Sequence, residues 1–404
     1  MEIRIITGRE LESWLNPANR AESAGWLESI TTAAIAGDNL PRDDVRALPV
    51  LSRLPLRTDA GDGWLAAARK AVEWCGGQRW AVVGSAGMTG WDYVSWFAGK
   101  IGARLRLVLP PQKAAALPEL MGKLTEDLRL SPARTTVIAP ITKSRPDKEA
   151  RLHLRDRLML GLAHHKFPVV TRRGGFWEKA LADVGGADER FRASYPARAA
   201  EPWREILKDM DDVPALDGGD CLVHWTRGVY GPWFGETTAD YFEALTDAIS
   251  GTPRDALATL KYIALSGILR GQGRMVRGGT PVVSFSPLEK GKLTGGGRWR
   301  SWLKRLNWEP YGITIPRRML EGLGGRPVIY GDKADYDRLP AEDRPFHQFI
   351  GAGNKDWRGE NEWRLVGDLD LTSMKDDIYL VVPTPKEAEL LRRELPFRIL
   401  SLIR

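Results

Sequence analysis

Three short polar stretches of this 404-residue chain carry residue types that do chemistry, and each adjoins a short apolar run. The first is His224 with Thr226, which follows Cys221-Leu222-Val223 and opens a Gly-rich aromatic turn (LVHWTRGVYGPWFGE, 222–236). The second is Ser284-Phe285-Ser286, at the end of the run PVVSF. The third is Glu360-Asn361-Glu362-Trp363-Arg364, entering a strand. A carboxylate stabilises positive charge that develops on a neighbouring carbon. An imidazole hydrogen-bonds hydroxyls without bringing a full second charge. An aromatic ring stacks on a planar ligand. The same residues also fit a packed strand end at His224 and a structural ion pair between Glu362 and Arg364.

Strands are needed to hold these stretches together. Short apolar runs predict strands at Cys221–Trp225, Pro281–Phe285, Tyr311–Ile315, Arg326–Tyr330, Trp363–Leu365, Tyr379–Val382 and Phe397–Leu402. Helical spacing predicts helices at Thr237–Ile249 and Pro253–Leu269. Helices come early and strands late, so this half reads as α+β with a mixed or antiparallel sheet.

The first half alternates instead. Arg79–Val83 runs straight into Gly84-Ser85-Ala86-Gly87-Met88-Thr89-Gly90 and then into a helix, Trp91–Ile101. Strand, Gly-rich loop and helix together offer backbone N–H groups and a helix N-terminus to a phosphate. The glycine spacing differs from the G-x-G-x-x-G dinucleotide fingerprint. Further strands follow at Arg104–Leu109, Thr135–Ala139 and Pro168–Thr171, with helices at Leu117–Leu130, Lys148–His165 and from Phe176. This is the pattern of an open, mainly parallel α/β sheet, whose ligands bind at the carboxyl ends of the strands. The expected strand-end loops are Gly84–Gly90, Ala139–Arg145 and Thr171–Gly175. Before them, Met1–Cys75 reads as an opening strand followed by helix and loop, with a helix over Ala21–Ala36 and irregular chain over the Pro-interrupted Leu40–Thr58. The expected organisation is a helical or irregular extension (1–75), an α/β domain (76–190), a Pro-interrupted linker (191–220) and an α+β domain (221–404).

Composition narrows the setting. Hydrophobic residues make up 43% and charged residues 27%, as in soluble globular proteins. No apolar run approaches a membrane span, and the start, MEIRIITGRELESWL, lacks a secretory h-region. Two cysteines support neither a disulfide framework nor a zinc site, and the histidines are too scattered for a metal. The expectation is a cytoplasmic protein with no metal. Its formal charge of +7 and 16 tryptophans suit phosphate-bearing ligands or nucleic acid, and equally a solvated basic surface around large cores.

The stretches AVVGSAGMTGWD (81–92), RLHLRDRLMLGLAHH (151–165) and VVTRRGGFWEKAL (169–181) resemble the nucleotide-binding Rossmann-like family that includes the DNA-processing protein DprA and the LOG-type phosphoribohydrolases. The resemblance implies that Gly84, Ser85, Gly87, Thr89, Arg155 and Arg157 contact a phosphate-bearing ligand. The LOG pattern PGGxGTxxE is reduced to Arg173-Gly174-Gly175-Phe176-Trp177-Glu178, so the implied role is binding or sensing. In the second half, a His, a Ser/aromatic strand and a Glu, in that order, resemble the ADP-ribosyltransferase-like fold over roughly 221–385.

That second resemblance implies NAD as substrate. Cleaving its nicotinamide–ribose bond builds positive charge on the ribosyl carbon, which a carboxylate stabilises. Glu362 would be the catalytic carboxylate and Glu360 would orient an acceptor or water. His224 and Thr226 would hold the ribose, and Ser284 and Phe285 the nicotinamide. Tyr230 or Trp233 would close over the ring, while Arg227 and Arg364 would bind the pyrophosphate. The implied protein is an NAD-consuming effector governed by a nucleotide-sensing domain, of the kind used in bacterial stress or phage defence. The competing expectation is a non-catalytic nucleotide- or DNA-binding protein.

Overall fold

The computed structural model describes residues 3–19, 24–37, 44–55, 58–142, 147–196, 220–248, 251, 253–288, 299–300, 305–306, 309–350 and 358–403. Arg145 at the end of the second expected loop, and most of the linker (197–219), lie outside them. The chain divides into two compact units, residues 1–198 with 231–253, and residues 199–230 with 254–404.

The first unit is built on a seven-stranded sheet in the order β1-β2-β6-β5-β4-β3-β7. The strands are β1 (Ile3–Thr7), β2 (Ile30–Gly37), β3 (Arg46–Leu51), β4 (Ala81–Gly84), β5 (Leu105–Val108), β6 (Thr135–Thr142) and β7 (His165–Val170). Strands β3 to β7 pair in parallel, while β1 and β2 add an antiparallel edge. Parallel strands need crossovers, supplied by α1 (Gly63–Gly77), α2 (Thr89–Lys100), α3 (Leu117–Asp127) and α4 (Lys148–Leu162). Helix α5 (Phe176–Val184) follows β7. The observed fold is thus a mixed, mostly parallel α/β sheet.

Two expectations for the first 75 residues fail. Residues 30–37 form a strand, not the end of a helix. Ala33, Ala34, Ile35 and Ala36 are all buried, and pairing on both sides overrides alanine's helix propensity. Its last residue must be glycine: Gly37 has φ +93°, and a Cβ there would lie 2.1 Å from the Thr135 carbonyl oxygen. Arg46–Leu51 was expected to be irregular because of Pro49. It is a wholly buried strand between β4 and β7, and its register with β7 shifts between Val50 and Leu51. The first 75 residues therefore supply β1, β2 and β3 to the sheet and are no extension.

One element joins the unit from far along the chain. Helix α6 (Thr238–Asp247) opens with a capping box between Thr237 and Asp240. Phe242 packs 5.3 Å from the Tyr93 ring and 5.6 Å from the Trp96 ring. Arg129 pairs with Asp240 and Glu243 at 2.5 and 3.1 Å. Residues 231–253, expected in the second domain, thus belong to the first unit.

The second unit has its own seven-stranded sheet. In chain order its strands are β8 (Cys221–Trp225), β9 (Val282–Pro287), β10 (Gly312–Pro316), β11 (Arg326–Pro327), β12 (Trp363–Val366), β13 (Tyr379–Val382) and β14 (Arg398–Ser401). In space the order is β11-β12-β9-β8-β10-β13-β14. All pairs are antiparallel except β13–β14. One face carries Leu222, Val283, Phe285, Ile313, Ile315 and Leu365 into a core with helices α7 (Ala256–Ser266) and α8 (Pro385–Glu394), which contribute Leu260, Ala264, Ala388 and Leu391.

Candidate functional sites

In the first unit the loop after β4 and the start of α2 come together as the strand–loop–helix pattern demands. Gly87 takes φ +89° with open space beside it, so a backbone conformation sets the need for glycine there. Gly84 is glycine for a steric reason: a Cβ would meet Ser95 Oγ at 2.9 Å. Ser95 in turn donates to the Ser85 carbonyl at 2.9 Å. Ser85 itself is fully buried, and its hydroxyl has no hydrogen-bond partner. Thr89 begins the helix.

The Gly87 N–H that a phosphate would use instead donates to Asp92 Oδ1 at 2.8 Å. Burial pushes the Asp92 carboxyl up to about 7, against the pull of that hydrogen bond. Sequence reasoning passed over Asp92, although an acidic residue in the first turn behind a Gly-rich loop was visible.

Arg155 reaches this loop and Arg157 does not. Arg155 is 2% exposed, pairs with Asp156 at 2.6 Å and places Nη2 3.9 Å from Met88 Sδ. Arg157, two residues along α4, is exposed and lines a separate cavity against α5. Two residues on a helix are about 200° apart, so both cannot serve one loop. The third expected loop is tied down locally: Glu178 accepts from Gly174 N–H at 2.6 Å, and Ser52 Oγ accepts from Arg172 N–H at 2.9 Å.

In the second unit the register separates residues that the sequence suggested would converge. His224 pairs with Ile313, and its ring lies 6.0 Å from Phe285, so it faces the core side of the sheet. Arg364 pairs with Ser284, and Glu362 grips Arg364, so both occupy the opposite face. His224 and Glu362 are not brought together.

The His224 ring is half-buried, and Nδ1 lies 2.8 Å from the Ser284 carbonyl oxygen. A carbonyl only accepts, so Nδ1 carries the proton and Nε2 is the acceptor. Burial pulls the imidazole down to about 4, and the nearby Arg227 charge adds to this. A folded pKa below the ordinary ~6.5 means that the unfolded chain binds the proton first. Stability from this group is present above pH ~6.5 and is lost as pH falls from there to about 4, by up to roughly 3 kcal/mol. Urea unfolding of the wild type and of His224→Gln at pH 4.5 and 7 should show the larger acid loss in the wild type.

Thr226 does not face a ligand. It is 3% exposed, and its hydroxyl donates to the Tyr311 carbonyl at 3.0 Å, with Ala256 O at 3.4 Å. Its expected ribose contact is corrected to a structural one. Thr226→Val should cost about 0.5–1.5 kcal/mol in chemical unfolding, the net worth of one hydrogen bond, because the Tyr311 carbonyl keeps its 2.7 Å bond from the backbone N–H of residue 226. Behind it, Glu309, 7% exposed, accepts from Gly228 N–H at 2.7 Å, and Val229 N–H donates to the Arg254 carbonyl at 2.7 Å. These bonds fix the turn carrying Arg227 and Tyr230. No motif in the sequence marks Glu309 for this work. Trp233, expected to share that turn's site, belongs to the first unit.

Arg364 is likewise not a pyrophosphate ligand. It is 2% exposed, and all of its donors are taken: Glu362 Oε1 and Oε2 at 2.9 and 3.2 Å, the Pro345 and His347 carbonyls at 3.0 and 2.9 Å, and Gln348 Oε1 at 2.5 Å. This network locks the Glu362 carboxylate, whose side chain is 14% exposed. Each carboxylate oxygen keeps a second lone-pair site. Tyr330 OH accepts from Glu362 N–H at 3.1 Å. Burial raises the Tyr330 phenol above its ordinary value, and the Glu362 and Glu360 carboxylates raise it further, so both acids act on this one ring. Asn361 between them has φ +44°, which breaks strict strand alternation. Ser284 and Ser286 are half-buried on the Glu362 face of β9, and Phe285, 2% exposed, lies in the core.

Comparison with known proteins finds no matching family model, curated protein or solved structure. Among the described residues, no helix is long and apolar enough to cross a membrane, and no cluster of His, Cys, Asp and Glu is arranged to hold a metal.

Proposed function

We propose that the second unit is an NAD-consuming domain of the ADP-ribosyltransferase type, a transferase or an NAD glycohydrolase. On this reading the first unit is a Rossmann-like, nucleotide-sensing partner in a bacterial stress or defence protein. The observation that carries the reading is the locked Glu362 carboxylate. It is held by Arg364, neighboured by Glu360 and Tyr330, and set on the same sheet face as Ser284 and Ser286. A fixed carboxylate costs no reorganisation when positive charge develops on the ribosyl carbon, which is what lowers the barrier. His224 then acts as a positioning residue, tying β8 to β9 through Ser284. In the first unit, Gly84, Ser85, Gly87, Thr89 and Arg155 would form the sensing loop.

The same Glu362–Arg364 pair also favours a second reading, a non-catalytic nucleotide- or DNA-binding module, because both carboxylate oxygens are engaged by one buried guanidinium. A nicotinamide-release assay on the purified chain, with and without nucleotides and DNA, separates the two. Release by the wild type supports the first reading. Its absence under every condition, with salt-sensitive binding of DNA or nucleotide, selects the second.

A further inference from the structure

The polar groups of the loop after β4 suit a part of a ligand other than its phosphate. The Gly87 N–H is already bound by the Asp92 carboxylate, with Oδ1 accepting at 2.8 Å. Among the described residues, the charges acting on Asp92 are Asp127, the last residue of α3, and Arg155 on α4. Arg155 is 2% exposed and is itself held by Asp156 at 2.6 Å. One guanidinium thus stands among three carboxylates. The N-terminus of α2 adds roughly half a positive charge, which does not reverse that balance in favour of an anion.

The same groups suit a hydroxyl donor. Asp92 is half-buried, and its carboxylate is only partly used: Oδ2 makes no hydrogen bond among the described residues, and Oδ1 keeps a second lone-pair site. The Gly87 N–H fixes the direction of that carboxylate. Beside it, Gly87 leaves open space where a Cβ would stand. A separate observation points to a missing polar partner. The Ser85 hydroxyl, at the head of the loop, is fully buried and has no hydrogen-bond partner, a costly state for a group that both donates and accepts.

We propose that this loop holds the sugar of its ligand, with the Asp92 carboxylate accepting from the vicinal hydroxyls of a ribose. A vicinal diol presents two donors side by side to the two carboxylate oxygens. The remaining sugar oxygens supply the partner that Ser85 lacks. The proposal rests on the reading of this loop as a nucleotide-sensing loop and changes which part of the ligand it touches. Asp92 must be ionised to bind in this way. Burial pushes its carboxyl up to about 7 against the Gly87 N–H, with Asp127 adding to the rise and Arg155 opposing it. Binding should therefore tighten by about tenfold from pH 6 to pH 8, as the ionised fraction rises from roughly one tenth to roughly nine tenths.

The test is calorimetric titration of the full chain with adenosine, guanosine, cytidine and uridine, their 2′-deoxy counterparts, AMP and inorganic phosphate. At least one ribonucleoside should bind about tenfold or more tighter than its 2′-deoxy form, and tighter at pH 8 than at pH 6. Both comparisons use the wild-type chain and need no variant to fold. Asp92→Asn keeps an oxygen for the Gly87 N–H and removes the charge. It should weaken the ribonucleoside by about tenfold or more and flatten the pH dependence. Binding that requires the phosphate, weakens from pH 6 to pH 8 and tightens in Asp92→Asn would overturn the proposal and leave the sensing reading standing. Ribonucleoside binding indifferent to the 2′-hydroxyl and to Asp92→Asn would do the same. No binding of any probe would overturn both.

Discussion

Asp44→Asn should destabilise the first unit by about 3–5 kcal/mol, the usual cost of stripping the counter-charge from a buried ion pair. At the amino ends of β3 and β5, Asp44 is the carboxylate paired with Arg106 at 3.0 Å and with Arg104 at 3.2 Å. The Asp44 side chain is 0% exposed and that of Arg106 is 1% exposed, so water cannot replace the lost charge. Arg46 is also buried, at 3%, and its Nε has no hydrogen-bond partner. Burial lowers its pKa, Asp44 raises it, and Arg106 lowers it again. Among the described residues, this corner sets the buried guanidiniums of Arg46 and Arg106 beside the Asp44 carboxylate.

The companion variant should move the other way. Arg46→Met keeps the volume and removes a buried cation whose Nε has no hydrogen-bond partner and whose pKa burial lowers, so stability should rise by about 1 kcal/mol. The double variant should recover part of the Asp44→Asn loss, because one less cation then lacks a counter-ion. Urea unfolding of the three variants checks this. A loss below about 1 kcal/mol for Asp44→Asn would mean that the corner is hydrated and the account is wrong.

Glu362→Gln should cut nicotinamide release from NAD by about 10²–10³-fold, the scale found when one preorganised electrostatic group is removed from a reacting centre. The variant has a second effect that must be separated from the first. It leaves Arg364 buried without its anion, which itself costs about 3–5 kcal/mol of stability. Glu362→Gln/Arg364→Met removes both charges at similar volume, a change that is often neutral for folding. In a ribosyl-transfer site the double variant folds and stays inactive. If it folds and keeps wild-type release, Glu362 is structural and the proposed chemistry is wrong. Ser284→Ala serves as a milder probe on the same face, with its effect read in KM and kcat separately.

Much of the first unit was legible because short apolar strands, polar breaks and helical spacing alternate along it. The sequence located β4 to β7 and α2 to α5 to within a few residues. It concealed β2 and β3. An Ala-rich strand reads as helix and a Pro-interrupted one reads as loop, and only pairing on both sides settles either. The ownership of α6 was equally hidden. Tyr241 and Phe242 mark a buried face, and an amphipathic face does not say which core receives it.

For the candidate sites, residue types alone determined that Glu362, Glu360, His224 and the loop after β4 were worth inspecting, because few side chains do such chemistry. Tertiary structure decided which of them meet. Strand period places alternate residues on opposite faces, but register between strands decides which neighbours share a face. It put Glu362 with Ser284 and His224 with Phe285. Helical period similarly parted Arg155 from Arg157, one beneath the loop and the other in the α4–α5 cavity. Partners distant in sequence decided the rest: the Tyr311 carbonyl claims the Thr226 hydroxyl, and Pro345, His347 and Gln348 complete the hold on Arg364. Such claims depend on where the backbone of another segment comes to lie, and no local pattern in the chain encodes that.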